Sequence, residues 1–137
     1  MPQHFRLDPI DFGAAALRLR AHRHEILSGN IANADTPNYK AVDFDFAAAL
    51  QKELSGQASL GSTLLRTHER HFTGQSVASS AELMFRIPVQ PAVDGNTVDP
   101  DLERSQFVKN AMMTEATISL LSGAIKSRLS AITGQAS

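Results

Sequence analysis

Two long stretches with a seven-residue repeat, one at each end of the chain, most constrain how this sequence can fold. Each begins with Asp-Pro, at residues 8–9 and 99–100, where the Asp side chain can cap free helix amides and Pro suits the first turn. The first repeat and the small residues between its members are Ile10, Leu17, His24 and Ile31, with Ala14, Ala21 and Ser28. This spacing places the side chains along one helix face. The helix is predicted to run to about residue 34 and must end before Pro37.

The second stretch predicts a partner for the first helix. Its repeat and the apolar residues beside it are Ala111, Ile118, Ile125 and Ile132, with Phe107, Val108, Leu121 and Leu129. Gly134 is a suitable helix stop. A helix with an apolar stripe must bury it, and the simplest partner is the other terminal helix. We therefore predict a mainly α fold, in which residues 1–36 and 99–137 form an antiparallel, coiled-coil-like hairpin.

The middle of the chain, residues 37–98, is predicted to be a small, irregular and partly extended region. An Ala-rich run indicates a short helix near residues 44–54. Residues 55–82 are rich in Ser, Gly, Thr and Ala without a steady period, which favours a loop that orders only on contact. Residues 85–89 read as extended, and Pro88 confines them to an edge or an isolated strand.

Composition narrows the function. A chain of 137 residues fits one domain, and its formal charge of −1 argues against a domain that binds nucleic acid through phosphates. The absence of cysteine excludes disulfides, thiolate catalysis and Cys-ligated zinc. No apolar run approaches the ~20 residues that cross a bilayer, so we expect no direct membrane insertion. Charged residues interrupt the N-terminus, so a cleaved secretory signal is not expected.

Candidate metal sites have weak support in the sequence. His22 and His24 lie two apart and point away from each other on a helix. His68 and His71 lie in the least patterned part of the chain. The Asp-Gly-Asn-Thr-Val-Asp stretch at 94–99 resembles a calcium loop only superficially, because the position that requires Gly is occupied by Asp. A turn followed by a helix cap explains it, and we predict no metal and no cofactor.

The sequence gives equally weak support for catalytic residues and for nucleic-acid-binding residues. Arg18, Arg20 and Arg23 lack an accompanying aromatic or Gly platform, so we interpret them as a solvated or inter-subunit polar face. No nucleophile elbow or phosphate-binding Gly loop is recognisable. We therefore predict no catalytic residues and no enzyme activity.

The segment Asn-Ile-Ala-Asn-Ala-Asp-Thr-Pro-Asn-Tyr-Lys at residues 30–40 ends the first helix. Asn30 and Asn33 lie three residues apart and would share a helix face, where their amides can both donate and accept hydrogen bonds. They could fix the register of a helical interface. An ordinary helix end followed by a turn explains the same spacing equally well.

These residues resemble the N-terminal signature of the bacterial flagellar rod, hook and hook-associated axial proteins. Residues 41–46, Ala-Val-Asp-Phe-Asp-Phe, narrow the resemblance to the basal-body rod proteins, and residues 94–99 with 107–110 resemble their second hallmark. The resemblance covers both terminal helices and the segments next to them. Met112-Met113 departs from the family, where a more polar or aromatic stretch is expected.

The resemblance implies a structural subunit that polymerises helically into the proximal rod. This rod is the drive shaft that transmits torque, forms part of the export channel and is required for flagellum-dependent motility. The implied partners are copies of the chain, other rod proteins, the membrane-ring adaptor and export gate at the rod base, and the type III export apparatus. The implied location is the periplasm-spanning rod, reached without a cleaved signal. Another rod subunit, or a soluble helical adaptor or secretion chaperone, is the alternative.

The residues expected at subunit interfaces come from the two apolar repeats and the Asn-rich segment. They are Ile10, Leu17, Asn30, Ile31, Asn33, Asp35, Thr36, Pro37, Tyr39, Phe107, Ile118, Leu121, Ile125 and Leu129. The two amides are the leading candidates for hydrogen bonds between subunits, and residues 35–39 for the turn that redirects the chain out of the core.

Overall fold

The computed structural model describes residues 8–55, 81–88 and 93–134. In chain order its elements are helix α1 (Pro9–Ala32), strand β1 (Val42–Asp43), helix α2 (Phe46–Leu54), strand β2 (Met84–Phe85) and helix α3 (Pro100–Thr133). The predicted mainly α fold with long terminal helices is confirmed. Among the helices of the described ranges, none is long and apolar enough to cross a bilayer.

The ends of both terminal helices are set by local sequence, as predicted. Asp8 accepts a hydrogen bond from the Ile10 amide at 2.9 Å, and Asp99 caps α3 in the same way. Pro occupies the first turn of each helix. α1 ends slightly earlier than predicted, with Asn33 as its cap. α3 ends at Gly134, whose positive φ of 68° suits a residue without a Cβ.

The terminal helices form an antiparallel pair. Arg128 near the end of α3 binds Asp8 at the start of α1, with a Nη2–Oδ2 distance of 2.7 Å. At the opposite end of the pair, Asn30 of α1 binds Glu103 in the first turns of α3. Between them, the Leu121 side chain of α3 packs against Gly13, where an added Cβ would lie 3.0 Å from Cδ1 of Leu121. The predicted hairpin is therefore present.

The face of α3 that packs against α1 differs from the predicted one. Buried and half-buried residues recur at alternating spacings of four and three: Glu103, Phe107, Asn110, Thr114, Thr117, Leu121 and Ala124. Ile118, Ile125 and Ile132 of the predicted stripe are 53%, 49% and 82% exposed. These three side chains therefore lie outside the seam within the chain, and the face of α3 that contacts α1 is mostly small and polar.

The described part of the middle region packs on α1. A small apolar core consists of Leu19 of α1 with Phe44, Ala49 and Ala81 from the middle region. Helix α2 confirms the predicted short helix and is capped by Asp45. Strands β1 and β2 pair antiparallel, so the predicted extended segment begins one residue early, at Met84. Val89 and most of the predicted loop, residues 56–80, lie outside the described residues, and the division into domains stays a prediction.

Candidate assembly site

Asn30 is the centre of a buried polar cluster at one end of the hairpin. Its side chain is 0% exposed. Nδ2 donates to the Val42 carbonyl at 2.8 Å and to Oε2 of Glu103 at 3.1 Å. Oδ1 accepts from the Val42 amide at 3.1 Å, with the Tyr39 hydroxyl 3.5 Å away. The amide thus pairs with both backbone groups of Val42, as a neighbouring strand would, and ties α1 to β1 and α3.

A chain of ion pairs continues from this amide. Nη1 of Arg86 donates to Oε1 of Glu103 at 2.6 Å, and its Nη2 donates to Asp43 at 2.5 Å. Arg23 binds the same Asp43 carboxylate through both Nε and Nη2, at 3.0 and 2.8 Å. Two guanidinium groups therefore balance two carboxylates. This balance permits the complete burial of Glu103, because an unpaired buried charge would be strongly destabilising.

The ion pairs perturb the Asp43 carboxyl group. Burial raises its pKa, but hydrogen bonds from Arg23, the Phe44 amide and Arg86 outweigh burial and hold the pKa below its ordinary value. Asp43 is therefore a carboxylate at neutral pH. It links the arginine of α1 to the arginine that follows β2.

Asn96 performs a second structural task at the carboxyl end of α1. Its Nδ2 lies within hydrogen-bond distance of the carbonyls of Asn33, Ala34 and Thr36, at 3.1, 2.8 and 2.9 Å. These carbonyls belong to the turn that follows α1, so the buried Asn96 amide fixes this turn against the segment before α3. Its Oδ1 accepts from the Val98 amide at 2.7 Å. The two sequence hallmarks, residues 30–40 and 94–99, therefore contact each other.

The contact between the hallmarks requires Gly95. Its φ is +74°, and a Cβ at this position would lie 2.7 Å from Oδ1 of Asn38. Asn38 itself has a φ of +63°, which Asn tolerates better than most residues. The backbone amide of Asn38 donates to the Asp94 carbonyl at 3.0 Å. The predicted turn before α3 therefore packs closely against the turn that follows α1.

The structure reassigns Asn30 from the expected subunit interface to the interior. All of its hydrogen-bonding groups are used within the chain, so none is available to a neighbouring subunit. Asn33 is half-buried and bonds locally, to the Gly29 carbonyl at 2.8 Å and the Thr36 hydroxyl at 3.2 Å. Asp35, Thr36 and Pro37 are exposed, and Tyr39 is half-buried.

The apolar residues expected at interfaces separate into two groups. Those that lie at least partly within the chain are Ile10, Leu17, Ile31, Phe107 and Leu121, all half-buried. Phe107 packs against His24, with ring centroids 4.0 Å apart. Those that stand outwards are Ile118, Ile125 and Leu129.

Helix α3 carries further exposed apolar side chains that the seven-residue repeat does not include. They are Val108, Met112, Met113 and Leu120. Successive residues lie about 100° apart around a helix, so Leu120 is on a different face from Ile118. The exposed apolar side chains of α3 are therefore spread over more than one face of the helix.

The arginines of α1, predicted to form a solvated or inter-subunit polar face, contact the middle region, and Arg18 among them is exposed. Arg18 binds Glu53 of α2 at 3.0 Å, and the guanidinium of Arg20 lies 4.4 Å from the centre of the Phe46 ring. Arg23 belongs to the ion-pair chain. Their physical role is to hold the middle region on α1. The sequence contains no local signal for these pairings, because the partners are distant in the chain.

No three His, Asp or Glu side chains come together in a metal-binding arrangement within residues 8–55, 81–88 and 93–134. His68 and His71 lie outside these ranges. His22 is half-buried and stacks on Phe44, with ring centroids 5.7 Å apart.

Comparisons with known proteins show that the sequence is similar to proteins of the flagellar rod. A family model described as flagella basal body rod protein matches residues 10–40. The flagellar basal body rod protein FlgB of Escherichia coli (strain K12) is 44% identical over 92% of this chain and 96% of its own length. FlgB of Salmonella typhimurium is also 44% identical, over 94% of this chain and 96% of its own. FlgB of Cereibacter sphaeroides (strain ATCC 17029 / ATH 2.4.9) is 40% identical over 93% of this chain and 96% of its own length.

The fold and these similarities define a structural subunit of the flagellar basal body rod. Within that class, the chain belongs to the FlgB family. Its location is accordingly the basal body rod, where it assembles with other rod components. Membership implies a structural rather than an enzymatic role, and the adaptor or chaperone alternative is not favoured.

Proposed function

We propose that the chain polymerises helically with copies of itself and with other rod proteins to form the proximal rod. In this role it would transmit torque as part of the drive shaft and enclose part of the export channel, which motility requires. The observation that carries the proposal is the outward apolar surface of α3, which the chain's own described residues leave exposed.

The two terminal helices differ in how much of their surface the chain covers. α1 is packed against α3 and also against α2 and β1, whereas α3 packs mainly against α1. Burial of apolar surface contributes about 25 cal/mol per Å², so covering α3 by neighbouring subunits would stabilise an assembly substantially. Such contacts join different surfaces on successive copies. Contacts of this kind build open helical polymers when the rotation between copies does not close.

The interior of the hairpin suits a subunit that is exported before it assembles. The α1-facing surface of α3 includes Asn110, Thr114 and Thr117, so it buries less apolar area than a Leu-rich seam. We infer a monomer of modest stability, which could unfold for passage through the type III export apparatus without a cleaved signal. The membrane-ring adaptor and export gate at the rod base are the further partners we propose for the periplasm-spanning rod.

The proposed interface keeps the exposed members of the predicted set and omits Asn30. Ile118, Ile125 and Leu129 form its apolar part on α3. The exposed turn at residues 35–37 is a second contact region. The half-buried members contribute the part of each side chain that the hairpin leaves accessible. These are Ile10, Leu17, Ile31, Asn33, Tyr39, Phe107 and Leu121.

Replacing Ile118 and Ile125 together with Asp tests this function. We expect normal expression and helical content, because both side chains stand outside the hairpin. The variant should be absent from purified basal bodies, and the cells should not swim. The matched control is Ala48→Asp, which adds a charge to an exposed position of α2 and should assemble normally. Normal swimming of the double variant would contradict the proposal, as would recovery of the wild-type chain only outside basal bodies.

A further inference from the structure

The two carboxylates that bind Arg86 differ in what else they contact. Asp43 also accepts two hydrogen bonds from Arg23, so it keeps a countercharge when Arg86 is removed. Glu103 is 0% exposed, and its other side-chain partner is the neutral amide of Asn30. Within the part of the chain that the structure describes, Arg86 is therefore the only countercharge that binds Glu103.

Two features next to Glu103 do not replace Arg86. Arg104, the following residue, is exposed and pairs with Asp101. The amino end of a helix favours a carboxylate in its first turn, but this effect is smaller than the cost of a buried charge that has lost its partner. The first turns of α3 therefore pack on α1 without an unpaired buried charge only when Arg86 is in place.

Arg86 belongs to a segment that is attached mainly to β1 and to the small apolar core. We call this segment, residues 81–88, the strap. At one end of the strap, Ala81 lies in the apolar core that packs on α1. β2 pairs with β1 and does not pack on α3, and the Arg86 amide donates to the Ala41 carbonyl at 2.9 Å. The strap can therefore dock on the rest of the chain before α3 does.

We propose that the strap is a latch that makes the hairpin close in a fixed order, the strap first and the first turns of α3 second. With the strap docked, Arg86 is held beside Asp43 and neutralises Glu103 as α3 closes. With the strap detached, closure would bury Glu103 without a countercharge, so the first turns of α3 stay open. The far end of the hairpin, where Arg128 binds Asp8, has no such requirement.

This inference goes beyond the proposed polymerisation, because it concerns the single chain. α3 carries the proposed subunit interface, and its amino end is fixed on α1 only after the middle region has docked. The middle region thus controls when the hairpin is complete. The latch can be tested on the purified chain, so its failure would leave the proposed rod function standing.

Hydrogen exchange of the backbone amides in the full-length chain, resolved by NMR, tests the latch. Arg86→Met removes the countercharge and keeps a long side chain. We expect exchange at residues 104–110 to accelerate by at least about tenfold, because Glu103 loses its partner, and exchange at residues 118–124 to change by less than about threefold. Arg104→Met replaces an exposed arginine of α3 and is the matched control, which should leave both rates unchanged.

Glu103→Gln separates the charge of Glu103 from the other contacts of Arg86. Glutamine keeps hydrogen-bonding groups but carries no charge. In this background, Arg86→Met should accelerate exchange at residues 104–110 by less than about threefold. Equal acceleration in both backgrounds would overturn the latch, because Arg86 would then act on α3 without Glu103. Equal acceleration at both ends of α3, or none, would overturn it as well.

Ser105→Pro tests the order of closure from the side of α3. Proline at this interior position disrupts the first turns of the helix, whereas Ser105→Ala keeps them and is the control. Ala81→Cys reports attachment of the strap, since this position is 7% exposed and the chain has no other cysteine. We expect maleimide labelling to stay as slow with Ser105→Pro as with Ser105→Ala. Faster labelling with Ser105→Pro would show that the strap leaves together with α3, which would overturn the proposed order.

Discussion

At the scale of single residues, side-chain amides and ion pairs replace a conventional apolar core at the junction of the elements. Asn30→Leu removes the hydrogen bonds to both backbone groups of Val42 and to Glu103. We expect the free energy of unfolding to fall by about 2–4 kcal/mol, since each buried polar group left unpaired costs about 1–3 kcal/mol. Urea denaturation followed by circular dichroism measures this change. Gln51→Leu, an amide replaced on an exposed helix face, should change it by less than about 0.5 kcal/mol.

The ion-pair chain predicts a dependence of stability on pH. The pKa of Asp43 is lower in the folded chain than its ordinary value of 3.8. The ionised Asp43 carboxylate therefore contributes its full share of the free energy of unfolding above pH 3.8. This contribution is lost as the pH falls through the folded-state pKa. We expect unfolding free energies measured from pH 6 downwards to fall less steeply in Asp43→Asn than in the wild-type chain. Asp101→Asn, at an exposed carboxylate, should keep the wild-type slope. Equal slopes in Asp43→Asn and wild type would contradict this role.

The sequence indicated which residues matter in this cluster but not what they do. Asn30 stood out because of its motif, yet its partners Val42 and Glu103 lie 12 and 73 residues away. No local spacing reveals a pairing of that length. Glu103 also lies in the first turn of α3, where an acidic residue is expected to be exposed and to interact with the helix dipole.

At the scale of elements, local rules predicted where the terminal helices begin and end but not which face of α3 is buried. Two seven-residue series run along α3, one through Asn110, Thr117 and Ala124 and the other, displaced by one residue, through Ile118 and Ile125. The apolar series was the natural prediction. The polar series faces α1 because the small residues of α1 allow close approach and because the Asn110 amide donates to the Arg20 carbonyl.

The close approach of the helices predicts a contrast between two glycines of α1. Gly13 faces Leu121 with no room for a branched side chain, whereas nothing lies within 4 Å of a Cβ added at Gly29. Gly13→Val should lower the free energy of unfolding by about 1–3 kcal/mol relative to Gly29→Val, the usual cost of overpacking. Both variants introduce the same β-branched residue into one helix, so intrinsic helix propensity cancels. Equal denaturation midpoints would show that the helices separate at Gly13 without penalty.

At the scale of the whole molecule, α1 is covered by α2, β1 and α3, whereas α3 packs mainly against α1 and leaves apolar side chains exposed. The sequence predicted the hairpin and the short helix, because caps, prolines and periodicity are local. It could not distinguish a stripe buried within the chain from one reserved for a neighbour. Both series along α3 are periodic, and only the packing of the hairpin shows which of them faces α1. The exposed surface of α3 is therefore the part of the molecule that we expect neighbouring subunits to cover.

Thiol labelling of Ile118→Cys tests this central claim most directly, since the chain has no other cysteine. The purified dilute chain and isolated basal bodies are treated with a maleimide, and labelling after unfolding in guanidinium gives the total for each sample. We expect rapid labelling of the dilute chain, where this position is 53% exposed. In basal bodies the thiol should be protected until the sample is unfolded. Equal labelling of the dilute chain and the intact basal bodies would contradict burial of α3 by neighbouring subunits.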